Sequence, residues 1–383
     1  HYLYESLDDN RENEGLLNNS IIDIEFLNDK VFLSTSEGLG YSEFDGLNFN
    51  FYHYDDENLP LGGNPSMVIN NNVIVVSGSQ TVSHGGGNHP AGTGVSYSLD
   101  NGQTWDYMPQ PIDEMPEQWS CSNYNYPDIF YNDKSECEQN CNDCNGSPAS
   151  CKQIYDYISW GGQNDILHLA VTTEINNISY DLDVLGHYIY SSSWAGGLRR
   201  FNYTLNNPVW ESIPLPMDNQ DELLCGNIDI TSYELNPVGK CSENFDNHKA
   251  FSVHVMEDTL WVGTAEGINK GVISEDDCIN WAHLTSYNNN LFDDWVIDFE
   301  HQIIDENNYR IWAITWEKDS QGRIGIPSYS DDGGQNWTYP SQLFELGVKA
   351  YNISIFVLSI FKLKYKYNIN LCIYITHEIR SRS

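Results

Sequence analysis

The chain has 383 residues, with 18 Lys and Arg against 55 Asp and Glu, giving a formal net charge of −37. So acidic a chain excludes binding along a phosphate backbone, because no basic stripe is present to displace counterions, and it opposes docking on anionic membranes. The surplus acids are expected to face water and keep the chain soluble.

In chain order, short β-branched or aromatic runs bounded by Asn, Asp and Gly recur and read as buried strands. Val31-Phe-Leu-Ser-Thr-Ser-Glu-Gly38-Leu39 matches Leu260-Trp-Val-Gly-Thr-Ala-Glu-Gly267-Ile268, and Val73–Ser77, Ile166–Ala170 and Ile311–Thr315 are of the same kind. No long stretch carries a helical period. A second repeat follows the strands. Ser98-Leu-Asp100-Asn-Gly102-Gln-Thr104-Trp105 returns as Ser330-Asp-Asp332-Gly-Gly334-Gln-Asn336-Trp337, a pattern Ser-x-Asp-x-Gly-x-[Thr/Asn]-Trp. In such a turn the Ser hydroxyl and Asp carboxylate can accept backbone N–H groups. The Gly supplies a positive φ, and the Trp opens the next strand. Ser274-Glu-Asp276-Asp-Cys278-Ile-Asn280-Trp281 is a variant with Cys in the Gly position. Ser42-Glu-Phe-Asp45-Gly46-Leu-Asn48-Phe49 is more degenerate, and Trp210 closes a unit that lacks the turn.

The closing aromatics at 49, 105, 210, 281 and 337 are spaced by 56, 105, 71 and 56 residues. Cysteine-bearing insertions, near 111–154 and 217–247, fill the two longer intervals, as expected of one repeat with decorated loops. Five units are legible, over 20–54, 65–110, 155–216, 248–285 and 300–345. Each is long enough for four antiparallel strands.

The repeated turn resembles the Asp-box, or BNR repeat, of sialidases, sortilin-type receptors, some endoglucanases and photosystem assembly factors. That resemblance implies an all-β fold, a β-propeller of four-stranded blades, with at least five blades and the turn itself a structural feature away from the ligand face. The chain begins with His and no signal peptide precedes it, so it is expected to be a fragment or a mature form with further blades outside it. A body over 1–350 and an anomalous tail over 351–383 are expected. The tail has an apolar run, Ile353–Phe361, too short to span a bilayer, followed by a Lys-rich segment. It carries five Lys or Arg from residue 350 onward against one acid, Glu378. It reads as translated non-coding sequence or, alternatively, as a final edge strand.

Of nine cysteines, Cys121, Cys137, Cys141, Cys144 and Cys151 crowd one insertion, Cys225 and Cys241 sit in the other, and Cys278 replaces the turn glycine. These eight suit disulfides, with connectivity open, and an extracellular, periplasmic or cell-surface location. Zinc on Cys137, Cys141, Cys144 and Cys151 is the alternative, although that spacing is half right for it.

Candidate chemistry is sparse. His84-Gly-Gly-Gly-Asn-His89-Pro is expected as a loop between the strands at 73–77 and 94–98, whose histidines could bind a metal or move protons. Arg199 and Arg200 could clamp a carboxylate, or simply pair with surplus acids; adjacent strand residues face opposite ways. Asp181, Asp183, Asp293, Asp294 and Asp298 offer carboxylates for glycoside hydrolysis. Trp160, Trp194 and Trp295 suit either sugar stacking or the core. Sialidases need three arginines around a carboxylate, a Tyr–Glu pair and an Asp. The Arg-Ile-Pro element of that family is here interrupted as Arg323-Ile-Gly-Ile-Pro327 and lies late in the chain, and only Arg11, Arg199, Arg200, Arg310 and Arg323 precede the tail. No nucleophile motif, phosphate loop or dinucleotide fingerprint is present. The expectation is an exported, non-catalytic binding protein for a glycan or protein ligand, with no cofactor and no metal. Alternatives are a sialidase-like or endoglucanase-like hydrolase, and a sensor propeller, since Leu-Trp-Val-Gly-Thr-x-x-Gly-Ile resembles the repeats of two-component regulators.

Overall fold

The alternating strand and turn signals become successive antiparallel meanders in a computed structural model, which describes residues 15–28, 30–44, 48–70, 72–121, 130–143, 145–238, 245–274, 276–305, 308–317, 325–345, 349–356 and 372–377. The protein is all-β, built from the four-stranded blades of a β-propeller. The chain divides into two compact units, His1–Gln118 with Ala170–Ile213, and Trp119–Leu169 with Pro214–Ser383.

The first unit holds three four-stranded meanders. Their strands are Ile21–Leu27, Lys30–Thr35, Gly38–Phe44 and Phe49–His53; then Met67–Asn70, Val73–His84, Gly87–Ser98 and Asp106–Met108; then Asp181–Leu185, Tyr188–Ser193, Gly197–Asn202 and Glu211–Ser212. Residues 73–76 are apolar without a break because both faces of their sheet are covered. Successive side chains point to opposite faces, so Ile74 and Val76 join Phe32, Leu39 and Trp105 in one core. Val73 and Val75 join Leu182, Val184, Ile189 and Phe201 in the next. Each fully buried aliphatic side chain contributes about 2 kcal/mol relative to exposure.

The second unit repeats the device. Ala250–Met256, Thr259–Thr264, Gly267–Ile273 and Ile279–Leu284 form a meander, extended at its outer edge by Glu222–Leu223. Trp295–Asp305, Asn308–Trp316 and Gly325–Ser330 form the next, with a bridge from Tyr329 to Thr338. Ile311 and Ala313 pack toward Trp261, Val296 and Trp337, while Trp312 and Ile314 pack toward Ala350 and Ile353. Residues 350–353 are therefore integrated into the fold, and strand Ala350–Phe356 pairs with Cys372–His377. Tyr155–Trp160 and Gln163–Leu169 form a smaller sheet with Glu234–Leu235, which joins in parallel.

Two expectations need adjustment. Residues 155–216 are not one blade: 155–169 belong to the second unit, and 181–212 form a complete meander in the first. The His84–His89 segment is not an open loop. Strands Val73–His84 and Gly87–Ser98 run to its tip, where Gly85 and Gly86, at φ +58° and +84°, make a two-residue turn. Positive φ at both central positions is what a tight hairpin demands, and only glycine meets it without strain.

Candidate functional site

The repeated turn is held by a closed set of hydrogen bonds. Ser98 Oγ donates to Asp100 Oδ1 at 2.8 Å and accepts from the Gly102 amide at 2.9 Å. Asp100 Oδ1 accepts from the Gln103 and Thr104 amides, and Asp100 Oδ2 accepts from Thr104 Oγ1 at 2.7 Å. In the second copy Ser330, Asp332, Gly334 and Asn336 make the same bonds, with Asn336 Nδ2 donating to Asp332 Oδ2 at 2.7 Å. Backbone and side-chain donors from Thr104 hold Asp100 down at about 2. Gly102, at φ +81°, also lies where a Cβ would strike the Tyr54 hydroxyl. Trp105 then meets Tyr54 edge-on at 5.5 Å, and Trp337 meets Trp261 likewise at 6.4 Å. In the third copy Ser274 Oγ donates to Asp276 Oδ1, and Cys278 stands in the glycine position. Trp281 is buried there. Residues 45–47 of the most degenerate copy lie outside the described residues.

The arginines are engaged within the fold. Arg199 is buried; its guanidinium donates to Asp113 Oδ1 at 2.6 Å, to Thr172 Oγ1 at 3.0 Å and to the Gly196 carbonyl at 3.3 Å. Asp113 Oδ2 accepts the amides of Val171 and Thr172. Arg200 leaves the opposite face, donates to Glu211 Oε2 at 2.9 Å and lies 3.9 Å above the Tyr188 ring. Arg310 is bidentate to Asp331, at 2.7 and 2.8 Å. Arg323 and Arg11 lie outside the described residues.

The candidate acids are likewise occupied. Asp181 accepts from Ser66 Oγ, and Asp183 from Asn70 Nδ2, tying strands of neighbouring sheets. Asp294 takes the Ser286 amide and hydroxyl, Asp293 the Asp294 amide, and Asp298 the Ile353 amide. Trp160 is buried, Trp295 is half-buried against Phe251 at 5.6 Å, and Trp194 is 36% exposed. His84 is exposed and stands edge-on to His89, ring centroids 6.3 Å apart, at the hairpin tip.

Among the described residues three disulfides form: Cys121–Cys141, Cys137–Cys151 and Cys225–Cys278. The first two enclose a small module in which Cys137, Cys141 and Cys151 are buried with Trp119 and Tyr131. These pairings occupy three of the four sulfurs of the zinc alternative, which is thereby corrected: thiolates consumed in disulfides cannot ligate. Cys144 and Cys241 lie outside the described residues.

Two side-chain groups that the sequence reading missed come together in the second unit. His254, Glu300 and His301 bring their ligating atoms within 4.8 Å of one another. His254 Nε2 is 2.9 Å from His301 Nδ1, and Glu300 Oε1 is 3.6 Å from that same nitrogen. Burial, then the neighbouring His301, pushes His254 down to about 3. Burial also lowers His301. Asp218, Asp246 and Glu266 make the other group. There Lys249 Nζ pairs with Asp246 at 2.5 Å, and Asp218 accepts the amides of Asp246 and Asn247. Deeper still, His248 accepts the Asn236 amide on Nδ1 at 3.0 Å while Nε2 faces the Leu215 carbonyl at 3.1 Å. That pattern suits a neutral ring, and burial holds its pKa down at about 4.

No known family profile matches the sequence, and no curated protein matches it. Among solved structures, YCF48 from Cyanidioschyzon merolae is 11% identical over 87% of this chain and 76% of its own, with a TM-score of 0.40. The Neurospora crassa Pan2 WD40 domain is 8% identical over 87% of this chain and 68% of its own, at 0.37. The Cellvibrio cellulosa alpha-L-arabinanase, complexed with arabinohexaose, is 10% identical over 85% and 96%, at 0.30. Among the described residues no helix is long and apolar enough to cross a membrane.

Proposed function

We propose that this chain is an exported, non-catalytic binding scaffold of the Asp-box type, with a body over 1–350 decorated by cysteine-bearing insertions and with a protein as its ligand. The observation that carries this reading is the state of the charged side chains. Arg199, Arg200 and Arg310 each face an acid of the fold. Carboxylate recognition by a hydrolase of the sialidase kind needs guanidinium groups converging on an open site. The candidate acids are tied to backbone amides and to neighbouring strands in the same way. Three disulfides support an oxidising compartment.

A protein ligand, rather than a glycan, is supported by strand Ile21–Leu27. It is the edge of its sheet, and Ile22, Ile24 and Phe26 alternate along it at 48%, 44% and 56% exposure. Exposed apolar rows on an edge strand invite another chain. Asp23 and Glu25 alternate with them and face the other side of the strand, where Asp23 accepts the Met67 amide, so the complementary partner is an apolar strand or ridge.

The test is sugar release. Oxidised protein is incubated with sialosides and with plant and algal polysaccharides, and reducing ends are measured. The scaffold reading predicts none. Release that is lost in a folded Arg200→Lys or Arg323→Lys variant would overturn it in favour of the hydrolase.

A further inference from the structure

We propose that His254, His301 and Glu300 form a binding site for one divalent transition-metal ion of the zinc class. Nothing in this inference depends on the scaffold reading. The donor set is two imidazoles and one carboxylate, which suits zinc and its neighbours and is a poor set for calcium or magnesium, whose sites are built from oxygen.

The ligands stand on regular strands. His254 lies on Ala250–Met256, and Glu300 and His301 lie on Trp295–Asp305. Both are terminal strands of their meanders, and each pairs antiparallel with the strand that follows it, His254 opposite Trp261, Glu300 opposite Trp312 and His301 opposite Ile311. A site built on two strands is held more tightly than one built on loops.

The distances are close to those that a metal needs. A tetrahedral ion with nitrogen bonds of about 2.0–2.1 Å sets its two nitrogens about 3.3 Å apart. His254 Nε2 and His301 Nδ1 stand 2.9 Å apart, so a small opening admits the ion between them. The Glu300 carboxylate lies 3.6 Å from the shared nitrogen, its Oε1 also accepting the His301 amide at 2.7 Å. The His301 and Glu300 side chains remain 36% and 27% exposed, which leaves an entry path from solvent. Three protein ligands leave a fourth position for water or a donor from a partner.

In the metal-free state the two nitrogens face each other and one ring must donate to the other. An ion replaces that single hydrogen bond with two coordinate bonds and links neighbouring sheets.

The other acidic group, Asp218 with Asp246 and Glu266, does not compete. Lys249 neutralises Asp246, and Asp218 caps the backbone at Asp246 and Asn247.

The experiment uses the full oxidised chain, stripped with a chelator, and zinc chloride or cobalt chloride as probe. Calorimetry is expected to give one zinc per chain and a rise in the unfolding temperature, because an ion that binds only the folded state stabilises it. Cobalt is expected to give the visible absorption of a four-coordinate nitrogen and oxygen site. His254→Gln and His301→Gln should each weaken zinc by at least about 100-fold, and Glu300→Gln by at least about tenfold. His84→Gln, at the exposed hairpin tip, should leave binding unchanged. His301 is half-exposed, so its variant keeps the fold and decides the matter even where His254→Gln unfolds. Absence of zinc binding, or binding indifferent to His301→Gln, would overturn the site.

Discussion

In the turn at Ser98–Trp105 one carboxylate receives two backbone amides and two hydroxyls, one of them from Thr104, which is why a Thr or Asn donor two residues after the glycine suits the pattern. The sequence reading found the acceptors and the positive-φ glycine. It did not find the donor role of that Thr or Asn, because the contact depends on the closed turn. The same geometry makes a prediction about acid. The Asp100 pKa falls from 3.8 to about 2 in the folded chain, so the unfolded state binds its proton first as pH drops. Its contribution is complete above pH 3.8 and is lost on falling toward 2. His248 acts the same way in a higher window, since its folded pKa of about 4 lies below 6.5. Its contribution is complete above pH 6.5 and is lost on falling to 4, with a limiting slope of about 1.4 kcal/mol per pH unit. Urea midpoints measured from pH 8 to 2 should decline in both windows. His248→Gln should make the first decline shallower, with His254 and His301 still contributing, and Asp100→Asn the second, with Asp332 and Asp276 still contributing. A wild-type midpoint that holds constant from pH 6.5 to 4 would contradict the neutral buried ring.

Among the elements, the disulfide between Cys225 and Cys278 shows how a repeat tolerates its own variation. Cys278 occupies the glycine position of the third turn and ties it to the segment that adds Glu222–Leu223 to the outer edge of the sheet. Gly161 packs so closely on this bridge that a Cβ there would lie 2.5 Å from the Cys225 sulfur. The bridge closes a separation of 53 residues, and loop-closure entropy assigns it about 4 kcal/mol. The Cys225→Ser, Cys278→Ser double variant should lose about that much in denaturant unfolding of an otherwise oxidised chain. A loss below about 1 kcal/mol would show that the covalent link adds little. The closing aromatics and strand runs made most meanders legible, because short buried strands leave continuous apolar runs. The hairpin at 73–98 was read short because Gly85, Gly86, Gly87, Gly92 and Pro90 resemble a loop. The segment at 155–216 was read as one blade because nothing local announces that Gln163–Leu169 pairs with residues 234–235. The His254–His301 pair was invisible for the same reason: its members are 47 residues apart on different sheets.

For the whole molecule, a charge of −37 leaves few cations, and their placement is informative. Arg199 sits at a buried junction of the first unit with Asp113, and that acid also holds the backbone at Val171 and Thr172. The sequence named Arg199 correctly as unusual, but its partner is 86 positions away, so recognition of a ligand and support of the fold looked alike. The central claim is that such groups support the fold and do not serve a reaction. A double-mutant cycle on Arg199 and Asp113, followed by urea unfolding of the oxidised chain, tests it most directly. Breaking a buried pair strands a charge, so Arg199→Ala is predicted to lose about 3–5 kcal/mol, with a coupling energy to Asp113→Ala above about 1.5 kcal/mol. An Arg199→Ala chain as stable as the wild type, or more stable, would contradict the account, because an arginine held for a ligand is one whose removal relieves the fold.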